Sequence, residues 1–312
     1  MAILTRTYPA AMAIVTVCNH KGGTGKTTSV INLAAALGHA GLNVLVVDLD
    51  PQGFLTRMLG VEEPPARQTS LALFQAEGDL RSISGIQMSG FTLIPASYAM
   101  TKALRSLNKP TDVFWLKETL ADGHDYDLIL FDTAAAITVY SMNALVASDL
   151  VLIPVTPEYQ PVVGAEQTYG TARLVSAKLN PTLGEPVFLL TQLDGRKRDH
   201  AAYGRYLREK YGERVLRMPI RTSAALAETS RMGQTVFDRD TASRGALDYS
   251  GAADELMSVL DNPDSLTAAP MTAAPSDASF RNPPAARHPA SQVSSGPSLV
   301  DDAGAPAAVQ WQ

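Results

Sequence analysis

Two lysines, Lys21 and Lys26, bracket Gly22, Gly23, Thr24 and Gly25 and are followed by Thr27 and Thr28. Glycines at this density let successive backbone N–H groups converge on phosphate oxygens without Cβ clashes. A lysine closing such a loop reaches the β- and γ-phosphates of a nucleotide, and the hydroxyl after it can ligate Mg2+. Three carboxylates belong to the same chemistry. Asp48 and Asp50 lie in the run Val-Val-Asp-Leu-Asp-Pro-Gln-Gly at 46–53, and Asp132 closes the run Tyr-Asp-Leu-Ile-Leu-Phe-Asp at 126–132. A carboxylate at the end of an apolar strand can meet Mg2+ through water on the far side of the phosphates. The combination points to nucleotide binding and to phosphoryl transfer to water, carried out mainly by positioning and charge.

The glycine-rich run needs a strand before it and a helix after it. Residues 13–18, Ala-Ile-Val-Thr-Val-Cys, supply the strand, and 27–37 supply the helical pattern, with Gly38 and Gly41 near its stop. A helix starting there adds the partial positive charge of its N-terminus to the phosphate site. The common G-x-x-x-x-G-K-[ST] spacing would place glycine at position 20, where this chain has His20, and Lys21 is an addition to it.

That Lys-Gly-Gly-x-Gly-Lys-Thr form resembles the deviant Walker A motif of the ParA/MinD family of P-loop ATPases, and the resemblance runs from about residue 12 to residue 260. It implies that Lys21 reaches across a dimer interface to the partner's ATP. By the same resemblance Asp50 positions the attacking water, and Asp48 stands nearer the outer shell of the metal. Lys21, Lys26 and Asp50 form the expected catalytic set. The expected nucleotide contacts are Lys21, Gly22, Gly23, Thr24, Gly25, Lys26, Thr27 and Thr28. Gln192, at the end of a later strand, is the candidate for reading adenine through its amide, with Pro219 and Ile220 flanking the base. Thr27, Asp132 through water and Asp48 in the outer shell are the expected metal set, with ATP and Mg2+ as cofactors. The segment Leu-Ile-Pro-Val-Thr-Pro-Glu-Tyr at 152–159 resembles the family's strand and turn at the dimer face. After Asp132 the family usually has a Pro-Pro pair, and this chain has Ala134 and Ala135. The departure bears on the stiffness of that segment and on the rate of hydrolysis, and leaves the metal site untouched.

The elements that must hold these residues are legible as short apolar runs at 44–47, 91–95, 128–131, 150–155 and 187–190. They are rich in Val, Ile and Leu and do not alternate with polar residues, as parallel strands buried on both faces do. Helical patterns at 98–107, 113–120, 140–147, 164–179 and 201–211 lie between them. The alternation predicts an α/β fold, a doubly wound, mostly parallel sheet with helices on both faces and ligands at the strand C-terminal edge. Residues 12–261 are expected to form this domain behind a short extension at 1–11. Residues 262–312 hold 8 of the 20 prolines with many Ala and Ser, a composition that cannot offset its ordering entropy and is expected to be disordered.

Composition narrows the function. The single cysteine, Cys18, excludes a disulfide framework and a cysteine-rich cluster. With it goes an iron–sulfur ATPase of the nitrogenase type. No apolar run approaches the ~20 residues of a membrane span, and no signal peptide is evident, so a cytoplasmic protein is expected, and the family resemblance implies association with the nucleoid. The formal charge is −5 over 312 residues, yet residues 194–231 carry ten Lys/Arg against five acids, leaving −10 on the remainder. Charge concentrated in this way suggests a polyanion site, although a solvated helix face would also account for part of it. ParA-like proteins bind DNA without sequence preference through this part of the chain, and Arg196, Lys197, Arg198, Arg221 and Arg231 are the candidates. The arginine that precedes Leu-Ala-Glu in the family is absent here, where 223–225 read Ser-Ala-Ala.

The reading that follows is an ATP-dependent partition or positioning ATPase. Its ATP-bound homodimer would coat non-specific double-stranded DNA, and a ParB-like or cargo-adaptor protein would stimulate its release. Three alternatives share the loop. One positions a protein assembly in place of DNA. Another cycles on a membrane in the manner of MinD, for which the Pro/Ala/Ser-rich tail supplies no amphipathic anchor. The third is a metabolic P-loop enzyme such as an amide-forming synthetase, which would leave the basic stretch unexplained. The early position of Lys21 leaves no room for an N-terminal helix-turn-helix, so operator binding is not expected.

Overall fold

Each apolar run becomes a strand of one sheet, because a Val/Ile/Leu segment without polar alternation is stable only when covered on both sides. The computed structural model describes residues 12–62, 64–75, 79–121, 123–229 and 233–263. The segments expected to be an extension (1–11) and a disordered tail (from 264 onward), together with Arg231, lie outside the described residues. The strands are β1 (Ala13–Val17), β2 (Val44–Asp48), β3 (Ile86–Gln87), β4 (Thr92–Ile94), β5 (Leu128–Asp132), β6 (Leu150–Val155) and β7 (Val187–Leu190), in the order β3-β4-β2-β5-β1-β6-β7. Every pairing is parallel except β3 with β4. The expected doubly wound sheet is therefore present, with one short antiparallel edge strand that two residues could not announce in sequence.

The helices are α1 (Lys26–His39), α2 (Phe54–Met58), α3 (Ala99–Ala103), α4 (Trp115–Ala121), α5 (Val139–Ala147), α6 (Tyr159–Lys178), α7 (Arg198–Tyr211), α8 (Ala224–Thr229), α9 (Val236–Arg239) and α10 (Arg244–Asp261). Successive residues of a strand point to opposite faces. Val15, Val17, Val44, Val46, Leu128 and Leu130 accordingly pack on one side with α1 and α10. Leu45, Val47, Ile129 and Phe131 face α4 and α5, and Ile153, Phe188 and Leu190 face α6 and α7. Cys18 is buried among the latter group.

Several helices differ from their sequence expectation for local reasons. α6 begins at Tyr159, not at 164, because Pro161 falls in its first turn, where a missing N–H costs nothing. The pattern at 98–107 yields only the five residues of α3. The pattern at 113–120 opens as a 3₁₀ turn, Pro110–Phe114, before α4. Thr138 and Ser141 bond each other's backbone N–H groups and fix the start of α5.

Register brings the chemistry together. Val17 of β1 and Asp48 of β2 are both paired with Asp132 of β5. The end of β1, which leads into the glycine loop, thus lies beside the two buried carboxylates at one edge of the sheet. At the opposite edge the far end of α1 packs closely on the backbone that precedes β4. A Cβ on Gly38 would lie 1.5 Å from the Gly90 carbonyl oxygen. Gly38→Ala is therefore expected to lose about 2–3 kcal/mol by overpacking, despite alanine's better helix propensity. A urea midpoint equal to that of the parent protein would show that the turn at Gly90 yields.

Candidate functional site

The loop between β1 and α1 is fixed from both sides. The Asn19 side-chain amide donates to the Pro154 carbonyl (2.8 Å), and its oxygen accepts the Lys21 N–H (2.9 Å). The His20 N–H donates to the Thr168 hydroxyl of α6 (2.9 Å). Further along, the Thr191 hydroxyl donates to the Thr24 carbonyl (2.8 Å) and the Gln192 amide to the Gly23 carbonyl (2.6 Å). Gly25 stands at φ +81 as the residue before α1, a left-handed position that L side chains adopt only with strain. α1 carries no acidic residue in its first turn, so its N-terminal N–H groups face a site with no competing negative charge of their own.

A cleft of about 800 Å³ opens at this point, a size suited to a nucleotide. Gly22, Gly23, Gly25, Lys26, Thr27, Thr28, Asp50 and Gln192 all line it. Ile220, Phe54 and Leu226 supply apolar wall. Thr24 is fully buried, with its hydroxyl directed to the Lys21 carbonyl (3.4 Å), so it shapes the loop from beneath. Pro219 is half-buried and is not among the lining residues, where its neighbour Ile220 stands.

At the floor, the Thr27 hydroxyl donates to Asp132 Oδ2 (2.8 Å). Asp132 Oδ1 is buried and has no hydrogen-bond partner. Burial first, and then the adjacent Asp48 carboxylate, push the Asp132 pKa well above the usual carboxylate range. The Lys26 ammonium lies against the Lys21 carbonyl (3.3 Å), and burial lowers its pKa while Asp132 opposes that shift. An orphaned carboxylate oxygen beside a hydroxyl is a hard-oxygen donor set that fits Mg2+ shared with phosphates. Thr27 and Asp132 would hold that ion.

Asp48 makes a different set of bonds. Its Oδ2 accepts the Thr56 hydroxyl (2.6 Å) and N–H (3.0 Å), and its Oδ1 accepts the Asp50 N–H (3.1 Å). These bonds spend the carboxylate on bracing the turn that carries Asp50, and burial raises its pKa to about 6. Asp50 Oδ1 accepts the Gln52 N–H (2.9 Å). Sequence reading missed Thr56, Asn19, Thr168 and Thr191, whose contacts join residues far apart in the chain.

Lys21 does not enter this cleft. It lines a second cavity of about 540 Å³ with Thr156, Glu158, Tyr159, Lys197 and His200. Of the basic candidates, Arg196 is exposed and doubly bonded to Asp194 (2.8 and 2.9 Å). Lys197 is paired with Glu158 (2.9 Å), and Arg198 is exposed at the start of α7. Arg221 is clamped by the buried Asp248 and lines the nucleotide cleft.

The floor carboxylates make stability depend on pH. A folded-state pKa raised above its unfolded value gives stability that is full at low pH and lost as pH rises through the folded pKa. For Asp48 that window runs from about 4 to about 6, and Asp132 shifts in the same direction. His20, whose pKa burial lowers, acts in the opposite sense, so the clean quantity is a difference between two proteins. In metal-free buffer, Asp132→Asn is expected to gain Tm relative to the parent protein, and the gain should grow from pH 5 to pH 7.5. A gain independent of pH would contradict a raised Asp132 pKa in the folded protein.

The family model described as AAA domain (AAA_31) matches residues 12–184. Over 246 residues the chain is 37% identical to the chromosome-partitioning ATPase Soj of Thermus thermophilus, covering 78% of this chain and 94% of that one. It is 33% identical to the sporulation initiation inhibitor protein Soj of Bacillus subtilis, with 78% and 97% covered. Among solved structures, cobyrinic acid a,c-diamide synthase from Mycobacterium smegmatis with bound ADP and magnesium superposes with a TM-score of 0.68 at 27% identity, covering 80% of this chain and 96% of that one. That neighbour is an amide-forming enzyme on the same framework, while the Soj relatives match the chain at higher identity. With the two-lysine loop, the register of its carboxylates and these likenesses together, the chain belongs to the ParA/Soj family of P-loop ATPases.

Proposed function

We propose that the protein is an ATP-driven partition ATPase whose ATP-bound homodimer binds double-stranded DNA without sequence preference. Hydrolysis, stimulated by a ParB-like or cargo-adaptor protein, would release it. The observation that carries this reading is the division of labour between the loop lysines. Lys26 lines the nucleotide cleft, and Lys21 lines an adjoining cavity that shares Gly22, Gly23, Gln192 and Thr222 with it. A lysine placed beside the cleft and not within its lining is available to a second copy of the chain.

ATP and Mg2+ are the cofactors. Mg2+ held by Thr27 and, through water, by Asp132 would supply positive charge to offset that of the phosphates. The chain's own residues do the rest. The loop N–H groups and the start of α1 receive the phosphates. Lys26 counters their charge, Thr27 and Asp132 hold the cation, and Asp50, braced through Asp48, orients water. Gln192, now bonded to Gly23, borders the base end of the cleft with Ile220. Arg196, Lys197 and Arg198 supply the DNA contacts, with Arg221 as a weaker candidate because Asp248 holds it.

The nearest competing readings differ in cargo or surface. A protein assembly could replace DNA as the object positioned. A membrane-cycling role has less support, because the Pro/Ala/Ser-rich composition of residues 262–312 does not suit an amphipathic anchor. The nucleoid in the cytoplasm is the proposed location.

The experiment is binding of the full chain to random-sequence duplex DNA with Mg-ATP and with Mg-ADP across a salt series. Binding much tighter with ATP, and falling steeply as salt rises, is expected for phosphate-directed contacts. Equal binding in both nucleotides, or none in either, would overturn the DNA reading. ATP-dependent binding to anionic vesicles would favour the membrane alternative.

A further inference from the structure

Glu158 joins two parts of the molecule that the proposed function keeps separate. It precedes α6 and lines the cavity that Lys21 lines. Its Oε1 accepts from the Lys197 ammonium at 2.9 Å and lies 3.0 Å from His200 Nε2. Both partners belong to the start of the basic stretch, 39 and 42 residues further along the chain. His200 is 1% exposed, and its Nδ1 accepts the Asp194 N–H at 3.1 Å. That bond leaves the proton on Nε2, so the imidazole donates to Glu158 and ties it to the loop that carries Arg196. The two bonds hold the Glu158 pKa below the usual carboxylate range, His200 first and Lys197 second. The carboxylate is therefore ionised at neutral pH.

The cavity beside this pair is built to receive a polar group. Thr156 is 7% exposed, lines it, and its hydroxyl has no partner. Anything that enters next to Lys21 meets the Thr156 hydroxyl and the Glu158–Lys197 pair together. Arg196 is also paired, but with Asp194, two residues away in its own loop. Lys197, unlike Arg196, is paired with a carboxylate that lines the Lys21 cavity.

We propose that Glu158 is a clasp on Lys197. It competes with DNA phosphate for that ammonium until a second copy of the chain, docking on the Lys21 cavity, draws the carboxylate away. The inference rests on the DNA-binding reading above. It gives nucleotide-dependent dimerisation a direct route to the DNA surface, through one side chain. The pair is about half-exposed, with side chains 54% and 45% accessible, and an exposed ion pair is worth at most a factor of about five in an equilibrium. Such a clasp biases binding and does not block it, so a phosphate contact can displace it.

The test is a double-mutant cycle read as DNA affinity, with Mg-ADP and with Mg-ATP, using the full chain. Glu158→Gln keeps an oxygen for the buried His200 Nε2–H and removes the charge facing Lys197. It is expected to raise affinity in Mg-ADP about two- to fivefold and to narrow the ATP-to-ADP ratio by the same factor. In a Lys197→Ala background the same change should leave the Mg-ADP affinity unaltered. An equal rise in both backgrounds would mean a general charge effect and would overturn the clasp. So would no rise in a parent protein that binds DNA with ATP. A parent protein that fails to bind DNA with ATP at all would overturn the partition reading and the clasp together.

Discussion

A carboxylate buried at the tip of a central strand is costly unless positive charge faces it. Asp132 is 1% exposed, stands beside Asp48 in the sheet, and keeps one oxygen without a partner. Everything around the cleft answers that constraint. The Lys26 charge favours the ionised form of Asp132, Thr27 bonds its other oxygen, and α1 begins beside it with a positive helix end. Asp48 satisfies its own oxygens through Thr56 and the Asp50 backbone, which removes it from the competition and stiffens the turn that presents Asp50. What remains uncompensated is shaped for a cation arriving with its phosphates.

The strands were readable because parallel strands under two layers of helix leave an unmistakable run of Val, Ile and Leu. β5 and β6 match their sequence expectations to within one residue. The short elements were not readable. α2 has five residues and β3 two, too few for periodicity to register. α10 escaped for another reason. Its buried stripe includes Gly245 and Asp248 and several alanines, and Gly245 sits closely against Leu226.

The site divides in the same way. The glycine loop and Asp132 stood out as site candidates through their spacing and Asp50 through the family resemblance, because their chemistry is concentrated in contiguous motifs. The bonds that orient them could not. Thr191 meets Thr24 across 167 residues, Asn19 meets Pro154 across 135, and Glu158 meets His200 across 42. Charge counting was weakest of all. It located a basic stretch, but the structure shows Arg196, Lys197, Arg217 and Arg221 each already paired with an acid. Excess positive charge in sequence is thus only partly available at the surface.

The account depends on Lys21 serving a second molecule. Light scattering of the parent protein and of Lys21→Ala, each with Mg-ADP and with Mg-ATP, tests this most directly when ATP binding is measured alongside. The parent protein should double in mass with ATP alone, and Lys21→Ala should bind ATP yet remain a monomer. A parent protein that stays monomeric with ATP bound, or a Lys21→Ala protein that dimerises equally well, would contradict the account.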